Sequence, residues 1–218
     1  MRGTVEGWGT PMYRDRLDAG RALADVLPHL DDPVVLGLPR GGVPVAAVVA
    51  ERLGAPLDVI IVRKVGVPWH PEVAMGAIGE GGARVTDERT MRWAAVSPND
   101  FAAAEARERR TLDARVTALR NNRPPLPLEG RTALIVDDGI ATGATMRVAV
   151  LVARARGAAS VVVAAPVAAA DTIAALEREA DAVVVPLVPT AFRAVGEHYV
   201  NFSQTTDEEV QRLLDGSG

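Results

Sequence analysis

Residues 132–145 of this 218-residue chain join an apolar run to a loop of small residues, and they read Thr-Ala-Leu-Ile-Val-Asp-Asp-Gly-Ile-Ala-Thr-Gly-Ala-Thr. The short run of aliphatic and β-branched residues before the loop predicts a buried strand over 132–136. A helix is predicted to follow the loop, to about Arg156. Two carboxylates, Asp137 and Asp138, therefore stand at the carboxyl end of a predicted strand.

Strands alternate with helices along the rest of the chain. This order is typical of an α/β, doubly wound, mainly parallel sheet with helices on both faces. Ligands of such sheets bind beyond the carboxyl ends of the strands. The further predicted strands are 33–38, 57–62, 160–165 and 182–187. The further predicted helices are 13–30, 43–53, 98–120, 171–179 and a short one that a capping box at 206–209 opens. The helix at 98–120 is predicted to begin after Ser97 as N-cap, with Pro98 at the first helical position and Asp100 at the third. Residues 63–83 are predicted to be loop-like, with a hairpin between 74–78 and 83–86.

Composition excludes several classes of chemistry. The chain has no cysteine, which rules out disulfides, thiolate nucleophiles and Cys-ligated zinc. Its net charge of −4 offers no obvious basic face for nucleic acid. No segment reaches the ~20 apolar residues of a membrane span, and the first residues lack a signal pattern, so we expect a cytoplasmic location without membrane contact. The basic residues are 23 arginines and one lysine, Lys64.

The loop after the acid pair has the chemistry of a phosphate cradle. Small side chains let backbone N–H groups approach an anion, and the N-terminus of the next helix adds partial positive charge. Thr142 and Thr145 add hydroxyl donors. Asp137 and Asp138 suit the vicinal hydroxyls of a sugar, or Mg²⁺ held through water. Both acids reach one ribose only if the chain leaves strand geometry at Asp138. The alternative is an ordinary strand–loop–helix connection with capping and solvated acids.

This segment resembles the phosphoribosyl pyrophosphate (PRPP) signature of the type I phosphoribosyltransferases over about 13 residues. The resemblance implies that Asp137 and Asp138 contact the ribose hydroxyls. It also implies that the following loop binds the ribose and its 5-phosphate. The loop residues concerned are Gly139, Ala141, Thr142, Gly143, Ala144 and Thr145.

A second loop, Leu38-Pro-Arg-Gly-Gly42, also joins a predicted strand to a helix. Gly41 and Gly42 expose backbone N–H groups, and Arg40 can contact a phosphate through two donors. The family resemblance implies that this loop binds pyrophosphate, with a non-proline cis bond near Pro39–Arg40. The alternative is a tight turn with a surface arginine.

Basic residues follow the second predicted strand. By the resemblance, Arg63 and Lys64 contact pyrophosphate, and residues 65–83 occupy the place of the family's mobile catalytic loop. The alternative for Arg63 and Lys64 is a solvated pair. Trp69 either covers the site or packs within the loop.

The domain organisation follows from the same resemblance. We expect a PRPP-binding core over 31–187 with a helical insertion at about 97–122. Residues 1–30 and 188–218 then form a small hood. The hood supplies Phe192 and Tyr199, which with Trp69 are the candidate acceptor-binding residues, or else they are core packing of the hood. The insertion is interpreted as a solvated charged helix or as a contact with a partner subunit.

The implied function is transfer of ribose 5-phosphate from PRPP to a nitrogenous base or related small acceptor, with Mg²⁺-dependent release of pyrophosphate. The implied catalytic residues are Arg40, Lys64, Asp137 and Asp138, with both acids as metal-binding candidates. Ala141 replaces an aspartate that is common in 6-oxopurine enzymes, which disfavours hypoxanthine and guanine. The alternatives are a non-catalytic PRPP or nucleotide sensor on the same fold, and a domain usually fused to another enzyme. A homodimer is expected.

Overall fold

The computed structural model describes residues 13–121 and 123–216. Its helices are α1 (Arg16–Ala24), α2 (Gly42–Leu53), α3 (Glu88–Trp93), α4 (Pro98–Arg120), α5 (Ala144–Ala155), α6 (Ala170–Leu176) and α7 (Asp207–Asp215). Its strands are β1 (Pro33–Gly37), β2 (Leu57–Val59), β3 (Val62–Val67), β4 (His70–Gly79), β5 (Arg84–Thr86), β6 (Thr132–Val136), β7 (Ser160–Ala164) and β8 (Ala182–Val184).

Five strands form a parallel sheet in the order β2-β1-β6-β7-β8. Side chains alternate between its two faces, so Val35 packs with α2 while Val34 and Leu36 pack on the side of α5. Both cores are fully buried aliphatic layers, because every central strand lies between helices. The predicted doubly wound α/β sheet is confirmed.

A second sheet corrects the prediction of a loop over 63–83. Strands β3, β4 and β5 form an antiparallel sheet, and Arg63 and Lys64 lie within β3 rather than in a loop. The predicted strand 57–62 is in fact divided, since β2 ends at Val59 and the chain enters the second sheet at Val62. The predicted hairpin is present as β4 and β5. Periodicity missed β3 because the charged pair Arg63 and Lys64 and the glycine Gly66 interrupt its apolar pattern.

Other element boundaries differ by a few residues. Helix α1 ends at Ala24 rather than near residue 30, because Pro28 has no N–H for the Ala24 carbonyl four residues earlier and its ring would clash with that carbonyl. Helix α3 was not predicted, since six residues are too short to show a helical period. The cap of α4 is confirmed: the Ser97 hydroxyl accepts from the Asp100 N–H, and the Asp100 carboxylate accepts from the Ser97 N–H.

Helix α4 is not a solvated charged helix, which was one of the two interpretations of the insertion. Its buried face includes Phe101 and Leu112, and its last residue, Arg120, is 4% exposed. Arg120 donates to Asp58 over 2.8 Å and, on its other side, to Glu80 over 2.6 Å. This buried cluster fastens the end of α4 to β2 and to the turn after β4.

The N-terminal and C-terminal flanking segments contact each other. Tyr13 N–H donates to the His198 carbonyl over 3.1 Å, and the rings of Tyr13 and Tyr199 lie 5.6 Å apart. Residues 1–12 of the predicted hood lie outside the described residues. The two flanking segments thus contact each other near Tyr199, while Leu23 of α1 and Val210 of α7 pack into the core that contains α2.

Candidate active site

Both predicted loops emerge at the same edge of the sheet. Strands β1 and β6 are parallel neighbours with Gly37 opposite Val136, and Leu38 N–H donates to the Val136 carbonyl over 2.9 Å. The loop after β1 and the loop after β6 are therefore adjacent. The two predicted motifs thus share one rim of the sheet.

The glycines of the first loop allow it to contact the second directly. A Cβ on Gly41 would lie 2.0 Å from Asp138 Oδ2, and one on Gly42 would lie 2.6 Å from the Val136 carbonyl oxygen. Real Cβ atoms do not approach that closely, so a side chain at Gly41 would displace the Asp138 carboxylate, and one at Gly42 would displace the main chain of the second loop. The bond Pro39–Arg40 is cis, as predicted from the resemblance.

The acid pair turns away from strand geometry at Asp138, as one ribose would require. Asp138 N–H donates to Asp137 Oδ1 over 2.8 Å, which folds the two carboxylates onto one turn. Both residues are partly buried, and the Asp138 side chain is 13% exposed. The Tyr199 hydroxyl donates to the Asp138 carbonyl over 2.5 Å, which ties the C-terminal flank to this turn.

Arg16 is a site residue that the sequence analysis missed. Its Nε donates to Asp138 Oδ2 over 2.8 Å, its Nη1 donates to the Ser203 carbonyl over 2.6 Å, and its guanidinium lies 4.1 Å from the Phe202 ring centre. Arg16 is the first residue of α1 and has no neighbouring motif. Only the folded chain brings it to Asp138.

The two carboxylates are electrostatically distinct. Burial and the adjacent negative charge of Asp138 raise the pKa of Asp137 well above its usual range. Burial also raises the pKa of Asp138, but the attraction of Arg16 offsets part of that rise. Asp138 is therefore the better stabilised anion of the pair, and Asp137 is the carboxylate that more readily holds a proton.

The predicted phosphate loop is open to solvent and well anchored. Ala141, Thr142, Ala144 and Thr145 are exposed at the N-terminus of α5. Gly143 has φ +71°, a left-handed conformation that favours glycine. The Thr172 hydroxyl donates to the Ala141 carbonyl over 2.6 Å, which holds the loop against α6. The first N–H groups of α5 have no acceptor within the helix, so they can donate to an anion bound at this end.

A cavity of about 900 Å³ adjoins this loop. Its walls come from the loop after β1, from β3, from α4 and from the start of α5, where Ala144 and Thr145 contribute. Arg63 and Lys64 lie in the β3 wall. Arg63 pairs with Glu108 over 2.7 Å and Lys64 pairs with Glu72 over 3.0 Å. The structure thus brings both cations and the end of the phosphate loop to one cavity.

The three predicted acceptor-binding aromatics do not line this cavity. Trp69 is 50% exposed, and Phe192 stacks on His198 with 5.6 Å between ring centres. Tyr199 is buried between Tyr13 and Phe202. Within the described part of the chain, the lining of the cavity contains no aromatic side chain.

The metal prediction rests on the acid pair alone. Among residues 13–121 and 123–216 there is no group of three or more His, Cys, Asp or Glu that could hold a metal ion. One oxygen of each carboxylate is already engaged, Asp137 Oδ1 by an N–H and Asp138 Oδ2 by Arg16. The remaining carboxylate oxygens suit Mg²⁺, which typically binds one or two carboxylates together with waters and substrate phosphates.

The described residues also contain no helix long and apolar enough to cross a membrane.

Comparison with known proteins defines the class to which this fold and site belong. The model of the phosphoribosyl transferase domain matches residues 16–201, and the chain therefore belongs to that family.

Two relatives lie close to the chain. It is similar to a protein of Mycobacterium tuberculosis strain H37Rv named "Putative phosphoribosyl transferase", with 50% identity over 206 residues. That match covers 94% of this chain but 46% of the relative, so the chain spans about half the length of the curated relatives it matches. The crystal structure of TT1426 from Thermus thermophilus superposes with a TM-score of 0.88 at 45% identity, covering 94% of this chain and 98% of that one.

Proposed function

We propose that this chain transfers the ribose 5-phosphate group of PRPP to a nitrogenous base or a related small acceptor, and releases pyrophosphate. The observation that carries the proposal is the junction of two loops at one rim. There Gly41 and Gly42 pack directly against Asp137 and Asp138. A ligand suited to a phosphate loop, an acid pair and a glycine–arginine loop is a sugar with a phosphate at one end and a pyrophosphate at the other, as in PRPP.

The assignment of roles follows the order of the groups along the rim. The N–H groups at residues 141–145 and the hydroxyls of Thr142 and Thr145 would hold the 5-phosphate. The ionised Asp138, stabilised by Arg16, would accept hydrogen bonds from the ribose hydroxyls, with Asp137 beside it. Gly41 N–H and the Arg40 guanidinium would hold the pyrophosphate.

The chemistry needs no covalent intermediate with the protein. The C1–O bond to pyrophosphate breaks through an oxocarbenium-like state while the acceptor nitrogen forms the new bond to C1. The enzyme's contribution is to align the reactants and to offset the negative charge of the departing pyrophosphate. Arg40, Arg63 and Lys64 would supply the positive charge that does so. A bound Mg²⁺ would supply further charge neutralisation of the pyrophosphate.

A screen of nitrogenous bases with PRPP and Mg²⁺, reading pyrophosphate release, tests the proposal. The double variant Asp137→Asn, Asp138→Asn is the control, and it should lose both PRPP binding and turnover. Binding of PRPP without turnover on any acceptor would instead identify a sensor on the same fold. Absence of PRPP binding by calorimetry at millimolar concentration would overturn both functions.

Lys64 offers a sharper test because its ion pair with Glu72 is exposed and contributes little to stability. Lys64→Ala should weaken kcat/KM for PRPP about ten- to hundredfold, the loss of one charge-assisted hydrogen bond. Glu72→Gln removes the partner alone and should leave kcat/KM nearly unchanged. Equal effects of the two substitutions would show that the ion pair, rather than contact with PRPP, is what matters.

The oligomeric state and the length of the active protein also need to be tested. We expect a homodimer in the cytoplasm, and light scattering on the purified chain tests the dimer. Since the curated relatives are about twice as long, the screen should be run on this chain and on the full gene product where that is longer.

A further inference from the structure

Helix α4 presents charged side chains to the cavity, although the family signature does not include it. Its cavity-lining residues include Arg107, Thr111 and Arg115, opposite the β3 wall that carries Arg63 and Lys64. The side chain of Arg115 is one-third exposed, so its guanidinium is only partly covered by protein. The α4 wall therefore adds cations to a cavity that already holds two.

Asp207 connects Arg115 to the loop after β1. Arg115 Nη1 donates to Asp207 Oδ2 over 3.0 Å, and Arg40 Nη1 lies 3.7 Å from the other oxygen, Asp207 Oδ1. One carboxylate thus separates the two guanidinium groups. Asp207 is the first residue of α7, and its charge offsets the mutual repulsion of the two arginines.

Among the described residues, most donors of Arg40 and Arg115 have no hydrogen-bond partner. At 3.7 Å the contact of Arg40 with Asp207 is too long for a hydrogen bond, and Asp207 Oδ1 accepts none from the described residues. Arg115 uses one donor on Asp207. Each guanidinium offers five N–H donors in a planar fork that matches phosphate oxygens. Both side chains can therefore bind an anion without first losing a network of hydrogen bonds.

The charge around the cavity favours an anion with more than one negative charge. The cavity lining contributes the cations Arg63, Lys64, Arg107 and Arg115 and the carboxylates Glu72 and Glu108. Arg40 and Asp207 lie beside Arg115 rather than in the lining. The positive groups are in excess. A monoanion such as a carboxylate would leave this excess uncompensated, whereas a diphosphate can contact both arginines at once.

We propose that Arg115 binds the diphosphate group of the substrate together with Arg40, so that the insertion helix completes the pyrophosphate site. This inference rests on the proposed function and adds to it a binding residue outside the two loops. It also gives α4 a role at the active site, in place of contact with a partner subunit.

Calorimetry on the full chain with Mg²⁺ tests the proposal, using inorganic pyrophosphate and ribose 5-phosphate as separate probes. Arg115→Ala should weaken pyrophosphate binding about ten- to hundredfold. It should leave ribose 5-phosphate binding unchanged, since the 5-phosphate loop lies at α5. Arg115→Lys, which keeps the charge, should recover part of the affinity. Arg110→Ala is the matched control, because Arg110 is an exposed residue of the same helix outside the cavity lining.

The outcomes separate this inference from the proposed function. Wild-type affinity for pyrophosphate in Arg115→Ala, with weakened affinity in Arg40→Ala, would overturn the role of Arg115 and leave the transferase intact. Equal weakening of both probes by Arg115→Ala would indicate structural damage and would also overturn it. Failure of the wild-type chain to bind pyrophosphate, ribose 5-phosphate and PRPP would overturn the inference and the proposed function together.

Discussion

Arg16 and Asp138, 122 positions apart in the chain, form an ion pair in which the arginine Nε donates to the carboxylate Oδ2 over 2.8 Å. The side chains are 11% and 13% exposed, so the pair is largely shielded from water. Arg16 also lies over Phe202 and bonds the Ser203 carbonyl. The first described helix, the acid pair and the C-terminal flank therefore meet at one guanidinium.

Loss of the Arg16 charge should destabilise the protein in a pH-dependent way. In Arg16→Gln the pKa of Asp138 should rise further, because the attraction that offsets its burial is gone. The folded chain then binds this proton more tightly than the unfolded chain, so stability falls as pH rises through the folded pKa. We expect a loss of about 3 kcal/mol at pH 7, measured by urea unfolding, and a smaller loss at acid pH.

Arg16→Lys is the control for this prediction because it keeps the positive charge. It should lose less stability than Arg16→Gln at pH 7. A loss in Arg16→Gln that does not change with pH would contradict the electrostatic explanation and would point to packing on Phe202 instead.

Removal of the Asp137 charge should stabilise the folded protein at neutral pH. Its pKa is raised by burial and by Asp138, so ionising it at pH 7 works against folding. Asp137→Asn keeps an oxygen for the Asp138 N–H and removes the charge. We expect a higher free energy of unfolding at pH 7, by about 1.4 kcal/mol for each unit of pKa shift.

The gain from Asp137→Asn should vanish toward the unfolded pKa of about 3.9, where the wild-type carboxyl is protonated in both states. PRPP binding should be lost in the same variant, so stability and binding would change in opposite directions. A gain in the free energy of unfolding over wild type that is smaller at pH 7 than at pH 4 would refute this assignment.

The contact between the two loops should not tolerate a side chain at Gly42. In Gly42→Ala the new Cβ would meet the Val136 carbonyl oxygen at 2.6 Å and the Asp137 Cα at 2.9 Å. Both are main-chain atoms at the end of a buried central strand and cannot move aside freely. We expect a loss of about 1–3 kcal/mol in thermal unfolding, with weakened PRPP binding.

Gly216→Ala is a suitable comparison, since the Cβ there would meet its nearest atom, the Arg212 carbonyl oxygen, at 3.4 Å. It should change neither stability nor binding appreciably. Wild-type stability in Gly42→Ala would mean that the loops are farther apart than this structure has them.

The buried cluster at the end of α4 should depend on Arg120. Arg120→Met leaves Asp58 and Glu80 without their main cation in a site with almost no solvent access. We expect a loss of about 3–5 kcal/mol in urea unfolding. Adding Asp58→Asn and Glu80→Gln should restore part of it, because the uncompensated charges are then gone.

Arg92→Ala tests whether any arginine pair would behave this way. Arg92 pairs with Glu88 on the surface over 3.2 Å, and its removal should cost less than about 0.5 kcal/mol. Comparable losses in Arg92→Ala and Arg120→Met would contradict the argument from burial.

Local sequence patterns predicted the strands and helices whose side chains repeat regularly. The apolar run at 132–136 gave a central strand, and the Ser97–Asp100 capping box gave the start of α4. The pattern failed for β3, where Arg63, Lys64 and Gly66 interrupt the apolar residues and the strand pairs only with β4 among the described strands. Hydrophobic periodicity indicates which face of a strand is buried. It therefore fails to predict a strand that belongs to a small, partly exposed sheet.

The residues of the candidate site likewise fall into those that the sequence predicted and those that only the structure brought to the site. Asp137, Asp138, Arg40 and the glycines were found from sequence, because loops at the ends of buried strands carry their chemistry in contiguous residues. Arg16, Arg115 and Asp207 were not found, since each belongs to a helix that reads as ordinary. An ion pair between distant elements leaves no local pattern. Its partners are set only when the sheet, the insertion helix and the two flanks pack around one rim, where burial makes each unpaired charge costly.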